Sequence, residues 1–123
     1  MRISILACTL VAACTGANAS VAVGSHDWLV GYWMPAGEDC ESDAGVAYSR
    51  DGSWTAYGAA GKWAIVDREI RAVVTEQWDD GGDVQTLAAP KSHVEKLSEL
   101  GPDKFVSHWE DGTVVTLRRC PRS

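Results

Sequence analysis

Residues 45–78 read GVAYSRDGSWTAYGAAGKWAIVDREIRAVVTEQW, and this stretch decides the fold. Four runs rich in Val, Ile, Trp, Tyr and Thr, at 45–49, 53–57, 62–66 and 70–78, are parted by Arg50-Asp51-Gly52, Gly58-Ala59-Ala60-Gly61 and Asp67-Arg68-Glu69. β-branched and aromatic residues suit a pleated, half-buried surface, and Asp-Gly accepts the positive φ of a tight hairpin turn. Within the last run Ile70, Ala72, Val74 and Trp78 fall on one face, with Glu76 as a rim interruption. The same rhythm continues outward. Upstream lies Gly31-Tyr32-Trp33-Met34; downstream lie 84–87, 94–100, 105–109 and 113–119, with Asp-Gly again at 80–81 and 111–112. Phe105, Ser107 and Trp109 alternate with Val106 and His108, which places His108 towards solvent. Many short strands with regular turns predict an all-β fold, a small up-and-down antiparallel β-barrel of about eight strands. One segment keeps two readings. Val94, Leu97 and Leu100 fit a helical face slightly better than an alternating strand, and the strand reading is kept with the helix open beside it.

The N-terminus sets the address. Met1-Arg2 gives one positive charge, and Ile3 to Cys14 contains none. An apolar run this short does not cross a ~30 Å hydrocarbon core, and it matches a signal-peptide core followed by the small-x-small cleavage pattern Ala17-Asn18-Ala19. The domain layout expected is a signal peptide at 1–19, an N-terminal segment at 20–27 and a single domain at 28–123. A second reading takes Val11-Ala12-Ala13-Cys14 as the lipobox of a bacterial lipoprotein, with Cys14 lipidated. Both place the protein in the periplasm or outside the cell, tethered to the membrane only in the second.

Cleavage after Ala19 leaves 104 of the 123 residues, room for one cored domain. Loss of Arg2 takes the formal charge from −6 to −7. An acidic surface speaks for a soluble monomer and against nucleic acid or an anionic membrane as partner. Cleavage also removes Cys8 and Cys14, leaving Cys40 and Cys120. In an oxidising compartment an even pair reads as a disulfide. Neither Cys-x-x-Cys nor a nearby histidine supports a metal or redox role.

Chemistry-bearing motifs are sparse. His26, His93 and His108 are dispersed, and His26-Asp27 reads as a solvated or capping pair. No serine sits in Gly-x-Ser-x-Gly or Ser-x-x-Lys. Asp79, Asp80 and Asp83 lack calcium-loop spacing, and Glu38, Asp39, Glu41 and Asp43 form an acidic patch around Cys40. The expectation is no enzyme, no metal and no cofactor. Six tryptophans, each in or beside an expected strand, read first as rings that fill a small core. Trp54, Trp63, Trp78 and Trp109 are candidates to line a ligand cavity, because open-mouthed barrels hold apolar ligands against aromatic walls.

Trp28-Leu29-x-Gly31-x-Trp33 resembles the opening of calycin-type barrels, the lipocalin and avidin relatives. In them Gly-x-Trp starts the first strand and the tryptophan plugs one end. The resemblance implies a lipocalin-like barrel with Trp28, Gly31 and Trp33 as its signature, and a small apolar ligand or a protein as partner. Within that group the chain resembles the small periplasmic inhibitors of serralysin-type metalloproteases, which end in a strand similar to Asp111-Gly112-Thr113-Val114-Val115-Thr116-Leu117. Their mature N-terminal segment enters the protease cleft; Ser20, Val21, Ala22, Val23 and Gly24 would correspond. Their disulfide joins two cysteines of the N-terminal half, whereas Cys120 here lies near the C-terminus. Three functions are therefore expected in order: an exported non-catalytic binding module, a periplasmic metalloprotease inhibitor, and a structural envelope protein.

Overall fold

Alternation of large and small side chains organises the chain in the computed structural model, which describes residues 21–79 and 81–121. The expected signal peptide at 1–19, with Cys14, and Ser20 lie outside the described residues. One helical turn, α1 (His26–Leu29), precedes the strands; its N-cap Ser25 accepts from the Trp28 N–H at 3.2 Å. Eight strands follow: β1 (Gly31–Pro35), β2 (Val46–Tyr48), β3 (Ser53–Ala56), β4 (Ala59–Val66), β5 (Glu69–Trp78), β6 (Val84–Ser98), β7 (Lys104–Trp109) and β8 (Val114–Arg119). Each pairs antiparallel with the next, and β1 pairs with β8 to close the sheet into a ring. Closure satisfies backbone groups that an open sheet leaves at its edges.

The two runs separated in the sequence reading at 84–87 and 94–100 are one strand, β6. Residues 93–98 are strand because ladders hold them, 93–96 against β5 and 95–98 against β7, with Glu95 opposite both Ile70 and Trp109. Two ladders outweigh a marginal helical period. Leu97 faces the core, and the strand ends before Glu99, whose φ is 50°. Pro90 carries no N–H, and it sits where the β5 partner shifts from Lys91 to Thr86, a stretch outside the ladder. Pairing with β7 begins only at Glu95, so the first half of β6 stands beyond its neighbour.

Asp-Gly builds two turns on one template. Gly52 (φ 92°) and Gly112 (φ 93°) take the left-handed conformation, while Asp51 and Asp111 each accept a backbone N–H at 2.9 Å, from Ser53 and Thr113. Hydrogen bonds from the Ser53 and Thr113 side chains, and then from their backbone N–H groups, hold both carboxyls below the usual carboxylate range. In the third turn the left-handed residue is Gly82 rather than Gly81.

One end of the ring is filled. Trp28, Leu29, Trp33, Ile70 and Phe105 are all at most 2% exposed. Trp33 meets Phe105 edge-on at 4.8 Å and Trp28 at 5.4 Å. Both indole N–H groups donate, Trp33 to the Leu29 carbonyl at 2.9 Å and Trp28 to that of Gly101 at 2.8 Å. The Arg119 guanidinium lies 4.3 Å from the Trp33 ring centre and donates to the carbonyls of Trp28, Val30 and Pro102. Gly31 (φ 142°) allows this approach, since a Cβ there would stand 2.9 Å from Arg119 Nη1. Gly31→Val is accordingly expected to cost about 1–3 kcal/mol through backbone strain and displacement of the arginine. Thermal denaturation checks it, and an unchanged midpoint would remove Gly31 from the account.

Cys40 and Cys120 are bonded, with Cα atoms 5.8 Å apart. The bridge ties the β1–β2 loop to the end of β8, and Arg118 donates to the Glu38 carbonyl beside it at 2.8 Å.

Candidate functional site

The opposite end of the ring is hollow, because inward positions that carry Trp, Phe and Leu at the filled end carry small residues here. Gly45 and Val46 before and on β2, Ala56 at the end of β3, Ala72 and Val74 on β5 and Val115 on β8 surround a cavity of about 480 Å³. Such a volume suits a small organic ligand. Tyr48, Trp54 and Leu117 line it from the side of the core cluster, whereas Trp109 lies at the end of β7 and is 37% exposed. The Trp54 N–H is buried and has no hydrogen-bond partner among the described residues.

Into this apolar space β6 projects Lys91, His93 and Glu95, alternate residues of one strand face. Glu95 is buried, and both its oxygens are engaged. Oε1 accepts from the Ser107 hydroxyl at 2.5 Å and Oε2 lies 2.7 Å from His93 Nε2. The hydrogen bond to Glu95 pushes the His93 pKa up; partial burial opposes this, and the charges of Glu95, Glu110 and Asp111 add to it. Burial, then the charge of Glu95, holds the Tyr48 hydroxyl well above its ordinary value and therefore neutral. The carboxylate stands between serine and histidine, so the histidine has no direct bond with the serine proton. Ser107 is wholly buried. The group is built to satisfy a buried charge and orient an imidazole rather than to expose a nucleophile.

The four candidate lining tryptophans separate. Trp54 and Trp109 border the cavity. Trp63 belongs to the filled end, edge-on to Tyr48 at 5.3 Å and stacked on His26 at 4.5 Å. Trp78 lies in a shallow outer groove with Tyr32, Thr55 and Tyr57. A register shift between Val74 and Glu76 breaks the alternation that would have put it inside. Of the N-terminal segment, Val21 and Val23 are exposed and Ala22 accepts from the Ser25 N–H in a turn ahead of α1. His26 is more than a solvated cap, since its Nε2 also lies 3.0 Å from the Arg50 carbonyl while Asp27 pairs with Arg50. His108 is exposed and lies 2.9 Å from the Ser98 hydroxyl.

Sequence reasoning passed over Lys91 and Glu95 and took His93 only as one of three dispersed histidines. The available signal was their alternation with Leu97: charged residues sharing the inward face of a strand are costly to bury unless they are paired or at a mouth. The competing helical reading of 93–100 hid it. Comparison with protein-family models, curated proteins and solved structures gives no match for this chain.

Proposed function

We propose that this protein is an exported, non-catalytic binding module of the cell envelope, a small lipocalin-like barrel that takes a largely apolar small molecule into its hollow end. The observation that carries the reading is the cavity of about 480 Å³ bordered by Tyr48, Trp54 and Trp109 above a packed floor. Its walls are largely apolar, and an apolar ligand body would take that surface out of water at roughly 25 cal/mol per Å². Trp28, Trp33 and Phe105 pack tightly only at the other end, so these walls lack a covering from the fold itself. Export rests on residues 1–19 and on a disulfide suited to an oxidising compartment.

Native mass spectrometry of protein purified from its own host is expected to show a stoichiometric small-molecule adduct. After extraction, the neutral fluorophore N-phenylnaphthylamine is expected to quench tryptophan emission saturably. A bare mass together with no quenching would overturn the proposal.

A further inference from the structure

The polar groups facing the hollow are of unequal kind. Lys91, His93 and Glu95 follow one another along β6 at alternate positions, roughly 7 Å apart along the wall. Glu95, the most buried of the three, is saturated by Ser107 and His93. The Trp109 ring stands edge-on to His93 at 5.3 Å. Among the described residues, neither the Lys91 ammonium nor the Trp109 indole N–H has a hydrogen-bond or ion-pair partner. The cavity therefore offers spare donors and one uncompensated positive charge, while its one carboxylate is already occupied. In a chain whose formal charge is −6, an unpaired lysine at an apolar mouth stands against the general field. A ligand with a cationic head would meet Lys91 and find Glu95 already matched. A ligand without a head group would leave the donors idle.

We infer that the ligand is an amphiphile with a carboxylate head, held at the mouth by Lys91 beside the Trp109 N–H and the His93 ring, with its apolar body among Tyr48, Trp54 and Leu117. This rests on the binding reading above and specifies its substrate class. Glu110 and Asp111, in the turn after β7, act on His93 with Glu95. That leaves Lys91 as the decisive cation.

The test is displacement of N-phenylnaphthylamine from the extracted protein by decanoate, decanol and decylammonium, which share a tail and differ in the head. At low ionic strength decanoate is expected to displace the fluorophore at about tenfold lower concentration than either of the others. Lys91→Met, at an exposed position, is expected to abolish the advantage of decanoate over decanol. Equal potency, a preference for decylammonium, or a decanoate preference that survives in Lys91→Met would overturn the carboxylate assignment and leave the apolar cavity standing. Failure of the fluorophore to bind, or of all three to displace it, would overturn both.

Discussion

Cys40→Ser and Cys120→Ser are each expected to lower the unfolding free energy by about 4–5 kcal/mol, and by similar amounts. Both remove one bond that joins residues 80 positions apart, and the entropy returned to the unfolded chain grows with the logarithm of that separation. The structure adds a local consequence. The β1–β2 loop is held by the bridge and by Arg118, which donates to the Glu38 carbonyl and lies 3.2 Å from Cys40 Sγ. That loop leads into Gly45 and Val46, part of the cavity wall. Loss of the bridge should therefore loosen the hollow end along with lowering global stability. Urea denaturation of the two variants and of the native chain with reductant gives the comparison. Clearly unequal losses, or a native chain unaffected by reduction, would contradict the bridge as a principal stabiliser.

Trp33→Ala is expected to cost about 3–5 kcal/mol, the range for truncating a large aromatic in a packed core. Trp33 is wholly buried, lies between Trp28 and Phe105, carries Arg119 on its face and supplies the donor for the Leu29 carbonyl. Its removal leaves a void walled by aromatic rings and orphans an acceptor. Trp54→Phe is the contrast. Its N–H has no partner among the described residues, so the substitution removes a buried unsatisfied donor and should be neutral or slightly stabilising. Chemical denaturation of Trp33→Ala measures that loss, and Trp33→Phe beside Trp54→Phe compares the two ends with the same substitution. Equal losses would mean that the filled and hollow ends are not energetically distinct.

Much of the architecture was legible in the sequence for a physical reason. Hairpin turns are local, and Asp51-Gly52 and Asp111-Gly112 declare themselves through the only residues that accept their geometry cheaply. The disulfide followed from the compartment and from a count of two. The cavity was not legible in this way. Whether a ring is filled depends on which inward positions coincide at one level, and that is set by register across eight strands. Trp78 shows the difficulty: a shift between Val74 and Glu76 carries it to the outer surface although the simple alternation puts it with Ile70 and Ala72. Glu95 shows the converse. It reads as an ordinary polar residue of a strand or helix until Ser107, from the next strand, and His93 are seen to close on its two oxygens.

A large share of the aromatic residues serves structure. Trp28, Trp33 and Trp63 fill the end that α1 covers, each indole N–H bonded to a backbone carbonyl. Trp54 and Trp109 stand where the small residues begin. The same residue type thus serves as floor and as wall, and only the neighbours distinguish the roles.

The hollow end of the ring, walled by β2, β3, β5, β6 and β8, is the proposed binding site. Ala72 is buried, borders the cavity and lies opposite His93 in the β5–β6 ladder, so a phenyl ring at that position would occupy the space itself. The decisive measurement is the affinity of the Ala72→Phe variant for N-phenylnaphthylamine, taken with its thermal midpoint. A loss of binding of about tenfold or more, with the midpoint held or raised as cavity filling allows, is the predicted result. A folded variant that binds as the native protein does would contradict it.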